Sequence, residues 1–157
     1  MTIHAAAIAL LATPVLAADY KVVDINERAA VFVDVASIRE VSPSVRQFNE
    51  VFHQARRRVT QLNGSYDSNV LVIRADCVGG RMRTMRVALY DAQTNSTPHA
   101  IDPKLDWQAV PPAGLAREEL DLVCGAASSG DASRLETLLQ IHDFYVAWLK
   151  DRGVIYE

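Results

Sequence analysis

RADCVGGRMRTMRVALYD, residues 74–91, places a cysteine at the end of an apolar run, just ahead of a glycine pair and a basic strand-like run. With the preceding NVLVI it reads as a β-hairpin, and its register can be tested on the residues themselves. A three-residue loop, residues 78–80, sets Cys77 opposite Arg81, Ile73 opposite Met85 and Leu71 opposite Val87. A two-residue Gly-Gly turn would instead set Ile73 opposite Arg86 and spoil that apolar face. A slip of one residue turns every side chain to the wrong side, so the longer loop is expected, with Gly80 left-handed. Cys77 then shares a face with Ala75, Ile73 and Leu71, while Arg74 and Arg86 point the other way.

Outward from the hairpin, ADYKVVDI and RAAVFVDVASIR read as two strands separated by the polar turn Asn26-Glu27. VSPS breaks the pattern. VRQFNEVFHQARRRV, residues 45–59, alternates as a strand does, yet Val45, Phe48, Phe52, Ala55 and Val59 also keep helical spacing, so periodicity leaves strand and helix both open. Downstream, DAQTNSTPHAIDPKLD reads as a long polar loop. Trp107 and Val110 are apolar anchors, Pro111 and Pro112 stop a strand, and Pro112 suits the first turn of a short helix that ends near Cys124 with Gly125 as its stop. DASRLETLLQIHDFYVAWLKDRG is the clearest helix, with Asp131 as the expected N-cap and Gly153 as terminator. The fold class expected is α+β: an antiparallel sheet of five or six strands, a short helix before Cys124 and a long C-terminal helix.

The chain of 157 residues is long enough for one domain with a core; half its residues are hydrophobic and 22% charged. Its first 18 residues, MTIHAAAIALLATPVLAA, read as a secretory signal peptide, although no Lys or Arg precedes the apolar run. A buried N-terminal helix is the competing reading. Residues 19–125 then form the sheet domain and residues 126–157 a linker with the C-terminal helix. The chain is expected to be exported, to the periplasm or the cell surface. No apolar stretch is long enough for a transmembrane segment. In an exported chain two cysteines read most simply as one disulfide, Cys77 to Cys124; in a reducing cytosol they would be two buried thiols.

The formal net charge of −3 does not point to a nucleic-acid partner. GxSxG, P-loop, HExxH and GxGxxG signatures are absent, so no catalytic residue is assigned and no enzyme is expected. No CxxC or closely spaced histidine pair occurs, and neither a metal nor a cofactor is expected. His142 falls on the apolar stripe of the last helix, where a hydrogen-bonded core histidine is the plain reading. Arg56, Arg57 and Arg58, with Arg74 and Arg86, form a candidate binding patch for sulfated glycan, anionic headgroups or an acidic protein surface; a solvated face paired locally is the alternative. On the last helix Leu135, Leu138, Leu139, His142, Tyr145, Val146 and Leu149 form a stripe that would dock on the sheet. Ile141, Phe144 and Trp148 form a second flank, a candidate partner face or homodimer contact, unless it too is buried in its own domain.

The pieces VFVDVASIR, Y…S…DC ahead of the basic GGRMR strand, W..VPP and the final VC resemble, in their order and spacing, the surface-adhesin E family of exported bacterial domains. The matching positions are Val33-Asp34, Ser37-Ile38-Arg39, Tyr66, Ser68, Asp76-Cys77, Tyr90, Trp107, Val110-Pro111 and Val123-Cys124. The resemblance implies an antiparallel sheet closed by a helix, the Cys77–Cys124 bond, and strand for residues 45–54. The basic segment 54–64 and the tail beyond Gly125 depart from the shared pattern. The function implied is that of an exported, non-enzymatic binding module with a protein or glycan partner. The alternative is a periplasmic structural or assembly factor of an envelope complex.

Overall fold

The computed structural model describes residues 17–59, 65–94, 96–125 and 135–156. The signal-peptide segment lies almost wholly outside them, as do Asp131 and most of the linker. The strands are β1 (Tyr20–Ile25), β2 (Ala29–Ser42), β3 (Val45–Val59), β4 (Ser65–Asp76), β5 (Arg81–Asp91), β6 (Ser96–Ile101) and β7 (Gln108–Ala109); the helices are α1 (Leu115–Cys124) and α2 (Leu138–Lys150). Strands β1 to β6 lie side by side in chain order, and β7 pairs with the turn end of β5. Every pairing is antiparallel.

Alternation along β2 and β3 sends neighbouring side chains to opposite faces. Ala30, Phe32 and Val51 pack with Ile141, Tyr145 and Leu149 of α2. Val33, Phe48, Ile73 and Ala75 pack with Leu120 and Val123 of α1. The sheet is therefore a middle layer with one helix on each face. Phe32, Val33, Phe48 and Val51 are all completely buried, which β-branched and aromatic residues suit. Tertiary pairing on both sides decides the ambiguous segment 45–59 in favour of strand, over its whole length.

The hairpin departs from the expected register in one place. Its loop has four residues, because Asp76 pairs with Arg81 and Ile73 with Thr84. A bulge between Val72 and Ile73 takes up the extra residue, Met85, and restores Leu71 opposite Val87. Asp76 builds this turn: its carboxylate accepts from the Gly79 amide (2.8 Å) and from Arg81 Nε (2.9 Å), and its carbonyl from the Gly80 amide. A Cβ on Gly79 would displace that carboxylate, and Gly80 is left-handed at φ 60°, a conformation that favours glycine. Part of the expected polar loop after Asp91 is instead edge strand β6, held by backbone pairing to β5, a bond that apolar patterning does not report.

Helix α1 starts after Gly114, later than Pro112 suggested, and ends at left-handed Gly125; Arg46 Nη1 donates to the Val123 carbonyl (2.6 Å) at its C-terminus. Helix α2 is shorter than expected. Its N-cap is Thr137, in a reciprocal capping box with Gln140. Leu135 lies ahead of it and accepts a hydrogen bond at its carbonyl from the Tyr20 amide (2.9 Å), extending the edge at β1. Leu139, expected on the buried stripe, is half exposed.

Cys77 and Cys124 are bonded, with Cα atoms 5.7 Å apart and a sequence separation of 47. The bond ties the β4–β5 turn to the end of α1. Closing a loop of that size should stabilise by at most about 4 kcal/mol through the unfolded chain. Urea unfolding with and without reductant should show a loss of roughly 2–4 kcal/mol on reduction, and the Cys77→Ser/Cys124→Ser double variant should match the reduced protein.

Candidate functional site

The five arginines of the candidate patch do not form one surface. Strand β3 carries Arg56, Arg57 and Arg58, at the bulge between His53 and Arg58, to one end of the sheet. Arg57 turns to the β5 end, where its guanidinium meets Asp91 (3.3 Å) and Gln93 (2.7 Å). Arg58 Nε donates to the neutral amide oxygen of Gln54 (2.6 Å), so its charge stays uncompensated by that partner. Arg74 sits on Gln47 (3.2 Å), and Arg86 faces Asp102 at 3.7 Å, both away from the β3 end.

Arg28, in the β1–β2 turn, was not singled out by sequence and connects what was. It lines a cleft of about 400 Å³ with Glu27, Gln54, Arg56 and Arg58. It also lines a second, of about 640 Å³, with Asn26, Trp148 and Arg152. Arg152 stacks over the Trp148 ring with Cζ 3.7 Å from its centroid. Two arginines of the candidate patch thus share one end of the molecule with one residue of the candidate helix flank. The rest of that flank is spent internally: Ile141 is fully buried, and Phe144 is half-buried, edge-on to Phe32 at 6.2 Å. Ile141 is therefore unavailable to a partner, because the face expected to be a second flank is the docking face itself.

Two buried polar clusters escape sequence reading because each is assembled from separate elements. On the α1 face, Glu50 of β3 lies against Glu119 of α1, both buried. Burial and the neighbouring Glu50 carboxylate push Glu119 up to about 9, and burial also raises Glu50. These shifts favour a single proton on the pair, held on Glu119 at neutral pH. A cavity of about 260 Å³ beside the pair is lined by Leu71, Ile73, Met82 and Arg83. The guanidinium carbons of Arg81 and Arg83 lie 5.2 and 4.9 Å from the Trp107 ring centroid.

On the α2 face, His53 of β3, Asp67 of β4 and His142 of α2 converge, with His53 and Asp67 fully buried. Asp67 Oδ1 accepts from Ser68 Oγ (2.9 Å) and the Ala92 amide (3.1 Å), and Oδ2 from the Tyr156 hydroxyl (3.2 Å). His53 Nδ1 pairs with Ser68 Oγ at 2.7 Å. Burial pushes the His53 imidazole down to about 4, against the opposite pull of Asp67, which leaves it neutral at pH 7. Gln93 reaches His142 Nε2 at 3.3 Å. His53 and His142 stand edge to face, 5.4 Å between ring centroids.

The glutamate pair sets a pH dependence. Glu119 binds its proton more tightly folded than unfolded, so its contribution is complete below the unfolded carboxylate range and is lost as pH rises towards 9. The thermal midpoint should fall between pH 5 and pH 9, and Glu119→Gln should flatten that slope. At pH 8.5 the variant should melt on the order of 5 °C above the parent, the shift that about 2 kcal/mol produces in a domain of this size. Differential scanning calorimetry across the range checks it.

No curated protein and no solved structure matches the chain. The sequence model of the family described as surface-adhesin protein E matches residues 20–125, from the first residue of β1 to the glycine that ends α1. That span contains the six-stranded meander, helix α1 and both cysteines of the disulfide. It covers well over half of the sequence, and the chain belongs to the surface-adhesin protein E family.

Proposed function

We propose that this protein is an exported, non-enzymatic binding module that docks a sulfated glycan at the end of the sheet carrying Arg28. The family to which the chain belongs supports an adhesin-like role at the cell surface. The observation that supports the site is the position of Arg28, shared by two adjoining clefts, with Arg56 and Arg58 on one side and Arg152 stacked on Trp148 on the other. A linear polyanion spanning both clefts would meet guanidinium groups along its length, with an aromatic ring beside them for the sugar faces. Planar guanidinium forks match the oxygens of a sulfate in pairs, which ammonium groups do not. The overall charge of −3 keeps the attraction local to this end. Glu27, in both clefts, sets a spacing requirement by repelling sulfates placed against it.

Among the described residues no helix is long and apolar enough to cross a membrane. The arrangement at Arg28 needs no bound cofactor and no chemical step.

Binding of heparin oligosaccharides to the protein from Asp19 onwards tests the reading. The affinity should fall steeply with salt, because exposed charges are screened within about 8–10 Å at 0.1–0.15 M. Arg28→Ala/Arg56→Ala/Arg58→Ala should weaken binding by roughly tenfold or more, about 1.4 kcal/mol. Arg74→Ala/Arg86→Ala should leave it unchanged. Equal binding by the triple variant, or displacement of heparin by a poly-glutamate peptide at matched charge, would overturn the glycan assignment, the latter in favour of an acidic protein segment.

A further inference from the structure

The cluster under α2 has a feature that a hydrogen-bonded core does not explain. His142 Nδ1 is buried without a hydrogen-bond partner and faces Asp67 Oδ2 across 3.7 Å. A direct bond between an imidazole and a carboxylate closes to about 2.8 Å. His53 Nδ1 stands at a similar distance, 3.8 Å, from Asp67 Oδ1. One nitrogen of each imidazole and one carboxylate oxygen all lie within 4.8 Å of one another. The gaps are too wide for hydrogen bonds. They are close to the roughly 3.4 Å that separates two ligands of a tetrahedral ion with bonds of about 2.1 Å.

We infer that His53, Asp67 and His142 form a binding site for a divalent late transition metal, zinc first, which fastens α2 to the sheet. Two imidazoles and one carboxylate are the donor set that suits zinc; an oxygen-only cage would suit calcium or magnesium. The two imidazole–carboxylate gaps need to close by a few tenths of an ångström, and the widest separation in the group, up to 4.8 Å, by about an ångström or more. His53 Nδ1 would exchange its bond with Ser68 for the ion, while Ser68 continues to donate to Asp67. The Tyr156 hydroxyl and the Ala92 amide hold the carboxylate in place, the kind of support that metal ligands characteristically receive. The His142 side chain alone keeps some exposure, 8%, and gives the entry path. Three protein ligands leave a fourth position for water.

The site joins β3, β4 and α2, and α2 lies outside the segment matched by the family. A metal here would do on one face of the sheet what the disulfide does on the other, fixing a helix to it by strong bonds.

The test uses the untagged, disulfide-intact protein from Asp19 onwards, stripped with a chelator and titrated with zinc chloride and, separately, cobalt chloride. Zinc is expected to bind with a stoichiometry of one and, at a hundredfold excess over its dissociation constant, to raise the thermal midpoint by on the order of 5 °C. Cobalt should give the visible absorption bands of a four-coordinate site. His142→Gln, at the accessible edge, should keep the native circular dichroism and lose at least tenfold in zinc affinity, and His99→Ala should lose none. Tyr156→Phe, which leaves the ligands untouched, should bind with moderately reduced affinity. A parent protein without one-to-one uptake or without the cobalt bands would overturn the inference. So would a folded His142→Gln that binds as the parent does, or a loss that follows His99 instead.

Discussion

The central strands are apolar on both faces, and everything else in the molecule answers to that. Phe32 and Val33 are adjacent in β2 and both have no exposure, yet they point in opposite directions. So do Val51 and Phe48 in β3 on their respective sides. Antiparallel sheets commonly leave one face to water. This one cannot, since burying a large apolar side chain is worth roughly 1.5–3 kcal/mol, and leaving either face open would forfeit several of these at once. Two covers are required, and the chain supplies them at its C-terminal end, α1 for one face and α2 for the other.

The covers are attached differently. Helix α1 has ten residues, too short to be stable alone, and the Cys77–Cys124 bond with the Arg46 contact at its last turn hold it down. Helix α2 begins in a capping box and buries Ile141, Tyr145 and Leu149. It gains further hold from the Tyr145 hydroxyl, which donates to the Asn26 carbonyl (2.7 Å), and from the Leu135 carbonyl joined to β1. The Asn26 contact places the end of α2 against the β1–β2 turn, which is how Trp148 and Arg152 come to lie beside Arg28.

Much of this was legible because the readable signals are local. The hairpin around Gly80, the short helix stopping at Gly125 and the sheet class follow from turn chemistry, breakers and alternation, and the disulfide from two cysteines in a chain expected to be exported. The recognisable family positions are of the same kind. Asp34 accepts from the Asp19 and Ala36 amides, Ser37 ties β2 to the Asn49 amide across its bulge, and Asp76 closes the turn. They specify a scaffold, and so the resemblance conveyed architecture far better than a ligand. What could not be read was set by pairing across distance. Strand β6 is an edge made by backbone bonds, and the loss of one register step at Met85 depends on the partner strand. Arg28 gained its place from the packing of α2, and the polar clusters draw on elements remote in sequence. Of the arginines, composition could say that they were numerous; only the fold could separate Arg57, tied to Asp91, from Arg56 and Arg58 beside Arg28.

The two buried polar clusters also explain why each helix has one position on the sheet. An apolar helix on an apolar sheet can slide by a turn at little cost, since one aliphatic contact replaces another. A buried polar group removes that freedom, because displacement strands it without a partner at a cost of about 1–3 kcal/mol or more. Strand β3 places Glu50 towards α1 and His53 towards α2, three residues apart and on opposite faces. Glu119 can share its proton only where α1 lies over Glu50, and His142 can face Asp67 only where α2 lies over His53. The same strand thus registers both covers. The stability given up by burying carboxyl and imidazole groups is exchanged for a fixed placement of α2, and through α2 of Trp148 and Arg152 beside Arg28. On this reading the polar core of the α2 face, remote from the clefts, determines their shape.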